Sequence, residues 1–163
     1  MNPSSGTAYA ERLRAAAAPL LERARQVPPD RLYAAPDAET WSVMKILAHV
    51  AEFVPYWARE ALKVATAADG AAFGRTHEDP ARIAAVADHA TDTLARATDR
   101  VQAALADAVA DLKKIPDGTW DRRGHHSRRG EMTVAGILET FMLGHLEEHR
   151  QQLEETRPAA EST

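Results

Sequence analysis

Four stretches of helical apolar spacing, divided by breaks rich in proline and glycine, confine this chain to a helical bundle. The first runs from about Thr7 to Gln26, with Leu13, Leu20, Leu21 and Ala24 at helical spacing and a bend predicted at Pro19. Pro28, Pro29 and Pro36 then hold residues 27–39 extended. The second helix starts at Ser42, a favourable N-cap, and runs to about Ala68. Its stripe is Ile46, Phe53 and Trp57, flanked by Leu47, Val50 and Val54, with a kink predicted at Pro55. After a loop over residues 69–78, Asp79-Pro80 pairs a capping residue with proline at the first helical position. That start signal opens a third helix reaching Lys114, closed by Pro116-Asp117-Gly118. Residues 119–131 read as non-helical, and Thr133 caps a last helix ending near Glu155. The predicted organisation is one bundle domain over 7–156, with flexible ends at 1–6 and 157–163.

Composition supports the same class. Hydrophobic residues make up 45% but aromatics only 6%, so alanine supplies much of the apolar count, which suits helices better than sheets. A net charge of -4 offers no general attraction for nucleic acid or anionic membrane. Without cysteine, the chain has no disulfides, zinc–thiolate sites, iron–sulfur clusters or cysteine nucleophiles. No apolar run approaches the ~18 residues that span a bilayer, and the start of the chain lacks the basic and apolar stretches of a secretion signal. The expectation is a cytoplasmic protein.

The chemistry-bearing residues are histidines. His49 falls within the apolar stripe of the second helix, three residues after Ile46 and four before Phe53. In the last helix the stripe Val134, Ile137, Leu138, Phe141 continues through His145 and His149 to Leu153. His145 and His149 stand one turn apart, about 6 Å along the axis, a spacing that lets two imidazoles address one ion without bending the backbone. A third imidazole from a facing helix would close one side of the coordination sphere and leave the other open. Nitrogen ligands alone do not choose among zinc, nickel, iron and copper. The competing reading makes them hydrogen-bonded core residues, since burying neutral imidazoles without partners is costly. His77, in a loop, and His89, on the solvent face of the third helix, read as ordinary surface residues. So do His125 and His126, in the arginine-rich segment Asp121–Gly130.

Other motifs fail on context. His145-Leu146-Glu147-Glu148-His149 matches the inverted zinc-protease pattern, but after His149 the chain offers only Glu154, Glu155 and Glu161 as acidic ligands. No Glu-x-x-His supports a carboxylate-bridged di-iron site, and no phosphate-binding glycine loop or nucleophile elbow occurs. One basic loop without interleaved aromatics is a solvated segment rather than a nucleic-acid site, although beside a metal it could receive an anionic substrate group.

The sequence Trp41-Ser42-Val43-Met44-Lys45-Ile46-Leu47-Ala48-His49-Val50 resembles the tryptophan-led second helix of the DinB-like superfamily of metal-binding four-helix bundles. Gly130-Glu131-Met132-Thr133-Val134-Ala135-Gly136-Ile137-Leu138, followed by Gly144-His145 and His149, is similar to that family's lead into its last helix. The resemblance spans about Ala8 to Leu153. It implies an all-α, four-helix, DinB-like fold with His49, His145 and His149 on zinc or nickel, iron being a third candidate, and often a homodimer. It also implies chemistry on small-molecule substrates, since characterised members include transferases and isomerases that use a low-molecular-weight thiol such as bacillithiol or mycothiol. No motif marks residues that bind the thiol. Glu52 and Glu148, each three residues after a histidine, are candidate orienting partners or bases, with solvated surface carboxylates as the plain alternative. Three functions remain in play: a thiol-dependent S-transferase or isomerase, a non-catalytic metal-stabilised interaction module, and a small metal-dependent hydrolase.

Overall fold

The protein is described by a computed structural model covering residues 5–155. Its helices are α1 (Gly6–Gln26), α2 (Val43–Thr66), α3 (Pro80–His89), α4 (Leu94–Lys114), α5 (Val134–Ile137) and α6 (His145–Glu155). A π-helical segment, Leu138–Gly144, joins α5 to α6, so the three pieces form one rod. The bundle comprises α1, α2, α4 and this rod. The sequence-predicted flexible ends lie mostly outside the described residues, but Ser5 and Gly6 cap and begin α1.

Sequence caps set the boundaries. The Ser5, Ser42, Thr93 and Thr133 hydroxyls each accept a backbone N–H three residues on, and the Asp79 carboxylate does the same for Arg82. The predicted single helix over 79–114 is instead two. Thr93 starts a new helix, and Asp92, paired with Arg100 at 3.0 Å and His89 at 3.2 Å, fixes the break between them. Both α1 and α2 continue through their internal prolines.

Around the bundle, α1 packs on α4, α4 on α2, α2 on the terminal rod, and the rod on α1, while α3 lies on α2. Because α1 and α2 sit diagonally, the proline-bearing connection must cross the bundle end, which is why residues 27–42 form a long segment rather than a tight turn; expected to be extended, it instead holds a short 3-10 helix at Pro29–Arg31. Phe53, Leu13, Leu20, Met44, Ile46 and Leu47 are among the fully buried side chains at the centre, each stabilising by roughly 1.5–3 kcal/mol.

The segments predicted to be loops form a small sheet ordered β1 (Ala71–Phe73), β2 (Arg123–His126), β3 (Gly130–Thr133). β1 runs parallel to β2, Phe73 opposite His126, and β2 pairs antiparallel with β3, His126 opposite Gly130. The sheet ties the α2–α3 connection to the entry of the terminal rod, and so walls one side of the site. Among the described residues, no helix is long and apolar enough to cross a membrane.

Candidate metal centre

His49 projects from the buried face of α2, and His145 and His149 from successive turns of α6. His49 and His149 are buried, whereas the His145 side chain keeps about a third of its surface. Their ring nitrogens converge: His49 Nε2 is 2.9 Å and His149 Nε2 3.2 Å from His145 Nε2. One ligand atom from each lies within 4.8 Å of the others. Phe53 floors the cluster, its ring centroid 4.7 Å from His145 and 4.8 Å from His49. Trp41 covers the opposite side, stacked on His149 at 6.2 Å and edge-on to His49 at 5.2 Å.

The outer nitrogens decide where the protons sit. His145 Nδ1 faces Glu148 Oε2 at 3.2 Å, and His149 Nδ1 faces Gln152 Oε1 at 2.8 Å. Both oxygens are acceptors, so each Nδ1 carries the hydrogen and each Nε2 presents a bare lone pair. His49 Nδ1 and Glu52 Oε2 are buried, 3.7 Å apart, and neither makes a hydrogen bond, so a small ring shift would complete the same arrangement. Glu52 is held in turn by Arg75.

Lone pairs aimed at one another repel, and a cation between them removes the conflict. Two nitrogens bound to one ion at ~2.0–2.1 Å lie about 2.9 Å apart at a right angle and about 3.3 Å at the tetrahedral angle. The observed separations match that range, so the donor set fits a divalent transition metal. Burial of His49, with the charges that His149 and His145 would place beside it, pushes its pKa down to about 2. Burial also lowers His149, to about 4, and lowers His145. The imidazoles are therefore neutral, the state that ligates.

The π-segment places these histidines. The buried side of the rod runs Val134, Ile137, Leu138, Met142, Leu146, His149 and Leu153. Phe141 and His145, predicted on the core stripe, are half-buried and line a cleft, while Met142 and Leu146 take the core positions. The wider π turn re-phases the helix between the two sets. Gly144 permits it: a methyl group there would sit 2.8 Å from the Glu139 carbonyl oxygen. Gly144→Ala is expected to cost about 1–3 kcal/mol in urea denaturation. An unchanged midpoint would mean that the turn relaxes freely.

The cleft over the histidines has a volume of about 520 Å³ and is lined by His49, His145, Phe53, Phe141 and Trp57, with Arg75, Arg82, Arg128 and Arg129 around them. His77 lies on its exposed rim. His89 ends α3 away from this cleft, and His125 is exposed on β2. His126, expected in solvent, is only 4% exposed. Its Nδ1 accepts the N–H groups of Arg128 and Arg129 at 3.2 Å, and its Nε2 donates to the Arg75 carbonyl at 3.1 Å. Gly74, at φ +83, allows that approach, since a Cβ there would lie 2.5 Å from the His126 ring. Sequence periodicity could not reveal this contact, because it depends on pairing β1 with β2 across more than fifty residues.

Comparison with known proteins gives one family and a shared fold. The DinB superfamily profile matches residues 12–153. No curated protein matches the chain. Among solved structures, YfiT from Bacillus subtilis superposes with a TM-score of 0.74 at 15% identity, covering 95% of this chain and 87% of YfiT. YfiT is described as a probable metal-dependent hydrolase with an unusual four-helix bundle topology. A mutant of mycothiol-dependent maleylpyruvate isomerase superposes with a TM-score of 0.64 at 11% identity over 91% of this chain, which spans 57% of that protein.

Proposed function

The chain belongs to the DinB superfamily, and on that premise we propose that it is a metal-dependent, low-molecular-weight-thiol-dependent S-transferase or isomerase. The single observation carrying this is the convergence of the His49, His145 and His149 Nε2 atoms at the base of an open cleft. These three residues would hold the ion, with zinc or nickel as the first candidates and iron next. A metal bound there would supply Lewis acidity on its open face and favour the thiolate form of a thiol.

The chain's own residues do the rest. Glu148 and Gln152 fix the tautomers of His145 and His149 and aim their lone pairs inward, and Glu52, steadied by Arg75, faces His49. Trp41 covers the cluster on the side away from Phe53, which lines the cleft. A cleft of about 520 Å³ is far larger than a water needs and fits a small thiol together with an electrophile. A hydrolase is the second reading, supported by the likeness to YfiT.

The test is turnover with the zinc- or nickel-loaded protein. Mycothiol or bacillithiol is supplied with chlorodinitrobenzene, so that a C–S bond forms, chloride leaves and the thiol proton passes to solvent. Conjugation requiring both metal and thiol is expected. Hydrolysis of a small ester with metal but without thiol would move the assignment to the hydrolase. Metal that raises thermal stability while no thiol binds and nothing turns over would leave the non-catalytic interaction module.

A further inference from the structure

The protein carries net charge -4, yet the cleft gathers four arginines and one lining carboxylate, Glu148. Two of the four are already neutralised. Arg75 pairs with Glu52 and lies 3.7 Å from Asp79, and Arg128 meets Glu78 at 3.3 Å. Among the described residues, Arg82 and Arg129 have no ion-pair partner. Arg82 is half-buried, and burial lowers its pKa despite the opposing pull of Glu52 and Asp79, while its Nη1 donates to the His77 carbonyl at 3.0 Å.

Both guanidinium groups lie near aromatic rings, one beside the histidine cluster and one in the cleft wall. Arg82 sits 5.9 Å from the Trp41 ring, which stacks on His149. Arg129 sits 5.6 Å from the Phe141 ring, which stacks on Trp57 at 4.2 Å. The backbone carrying Arg129 is anchored, since its N–H donates to the buried His126. The charge of Arg82 also reaches all three imidazoles, where it disfavours protonation.

We propose that Arg82 and Arg129 form a carboxylate-binding subsite opposite the histidine cluster, so that the molecules this cleft takes are small organic acids. A planar guanidinium donates two parallel hydrogen bonds to a carboxylate, and an aromatic face beneath it fixes the plane. His126 acts as a positioning residue for the Arg129 side of the subsite. The proposal rests on the metal-enzyme reading for what lies opposite the arginines, but not for the anion binding itself.

Calorimetry separates the two. The zinc-loaded protein is titrated with 3-mercaptopropionate and with 2-mercaptoethanol, a neutral thiol that puts a hydroxyl where the acid has its carboxylate, and the metal-free protein with succinate. The acid thiol is expected to bind at least about tenfold more tightly. That preference should fall to about twofold in Arg82→Met/Arg129→Met, with mercaptoethanol affinity unchanged. Succinate should bind the metal-free wild type and not the variant. Arg129→Met alone, a change at an exposed side chain, guards against misfolding and should lose part of the preference. Equal affinity for the two thiols, or a preference that survives in the double variant, overturns the subsite while leaving the metal centre standing. Should neither thiol bind, the thiol reading fails and the succinate titration decides the subsite alone: binding lost in the variant upholds it, and no binding to wild type refutes it.

Discussion

Replacing His145 and His149 together with alanine is expected to reduce the metal content of gently purified protein from about one ion per chain to below about a tenth. The expectation follows from ligand arithmetic. Two of three converging imidazoles disappear, and the single imidazole of His49 cannot hold a divalent ion against solvent. In wild type, metal binding only the folded state should stabilise it by about 2.7 kcal/mol at a hundredfold excess over Kd, and the variant should show no such rise. Elemental analysis alongside thermal melts, without a metal-affinity column, measures both. His77→Ala/His125→Ala, which removes two exposed imidazoles, should keep its metal. A wild type that takes up no metal on reconstitution would make the three histidines core residues and put the interaction module ahead.

The main helices and the stripe positions of the three histidines were legible because each depends on local spacing, whereas the meeting of His49 with His145 is a contact between two helices that only the family resemblance implied. Apolar residues three and four apart, caps at Ser42 and Thr133, and histidines inserted in the stripe need only one helix at a time. What the sequence hid has a different origin. The break at residues 90–93 is a competition between helix continuation and a local cap by Thr93, and a periodic stripe running through both sides masks it. The π-segment shifts the core face by one position, so Met142 and Leu146 replace Phe141 and His145, which no regular period predicts. The sheet strands are three or four residues long and polar or glycine-bearing, too short for alternation to register. Arg75, Arg128, Arg129 and His126 sit on those strands and connections, so they become neighbours of the histidines only through long-range pairing, and Arg82 comes from α3. The helix positions of the three histidines were therefore readable, whereas the residues that surround them in the cleft were not.

Acid is expected to destabilise the metal-free protein steeply, and the same three imidazoles set the window. In the unfolded chain a histidine titrates near 6.5, while in the fold burial holds His49 down to about 2 and His149 to about 4. Between pH 6.5 and those values the unfolded chain binds protons that the folded one refuses, so stability is complete above 6.5 and falls as pH drops. Each such histidine contributes a slope of about 1.4 kcal/mol per pH unit. From pH 7 to pH 5, His49 and His149 together should therefore remove roughly 4 kcal/mol, a large part of the 5–15 kcal/mol typical of a domain. His145, partly exposed and supported by Glu148, should add less. Urea midpoints in chelator at the two pH values measure the effect. His145→Ala/His149→Ala should lose roughly half of it, because one of the two buried imidazoles is gone and His49 no longer faces its neighbours' charge. Equal midpoints at pH 7 and pH 5 would show that the imidazoles are protonated or hydrated in the fold, which is incompatible with a cluster of inward lone pairs. With metal present the same protons compete for the same Nε2 atoms, so the acid transition should coincide with metal release. A melt and a metal assay run together on one pH series would then report the same event.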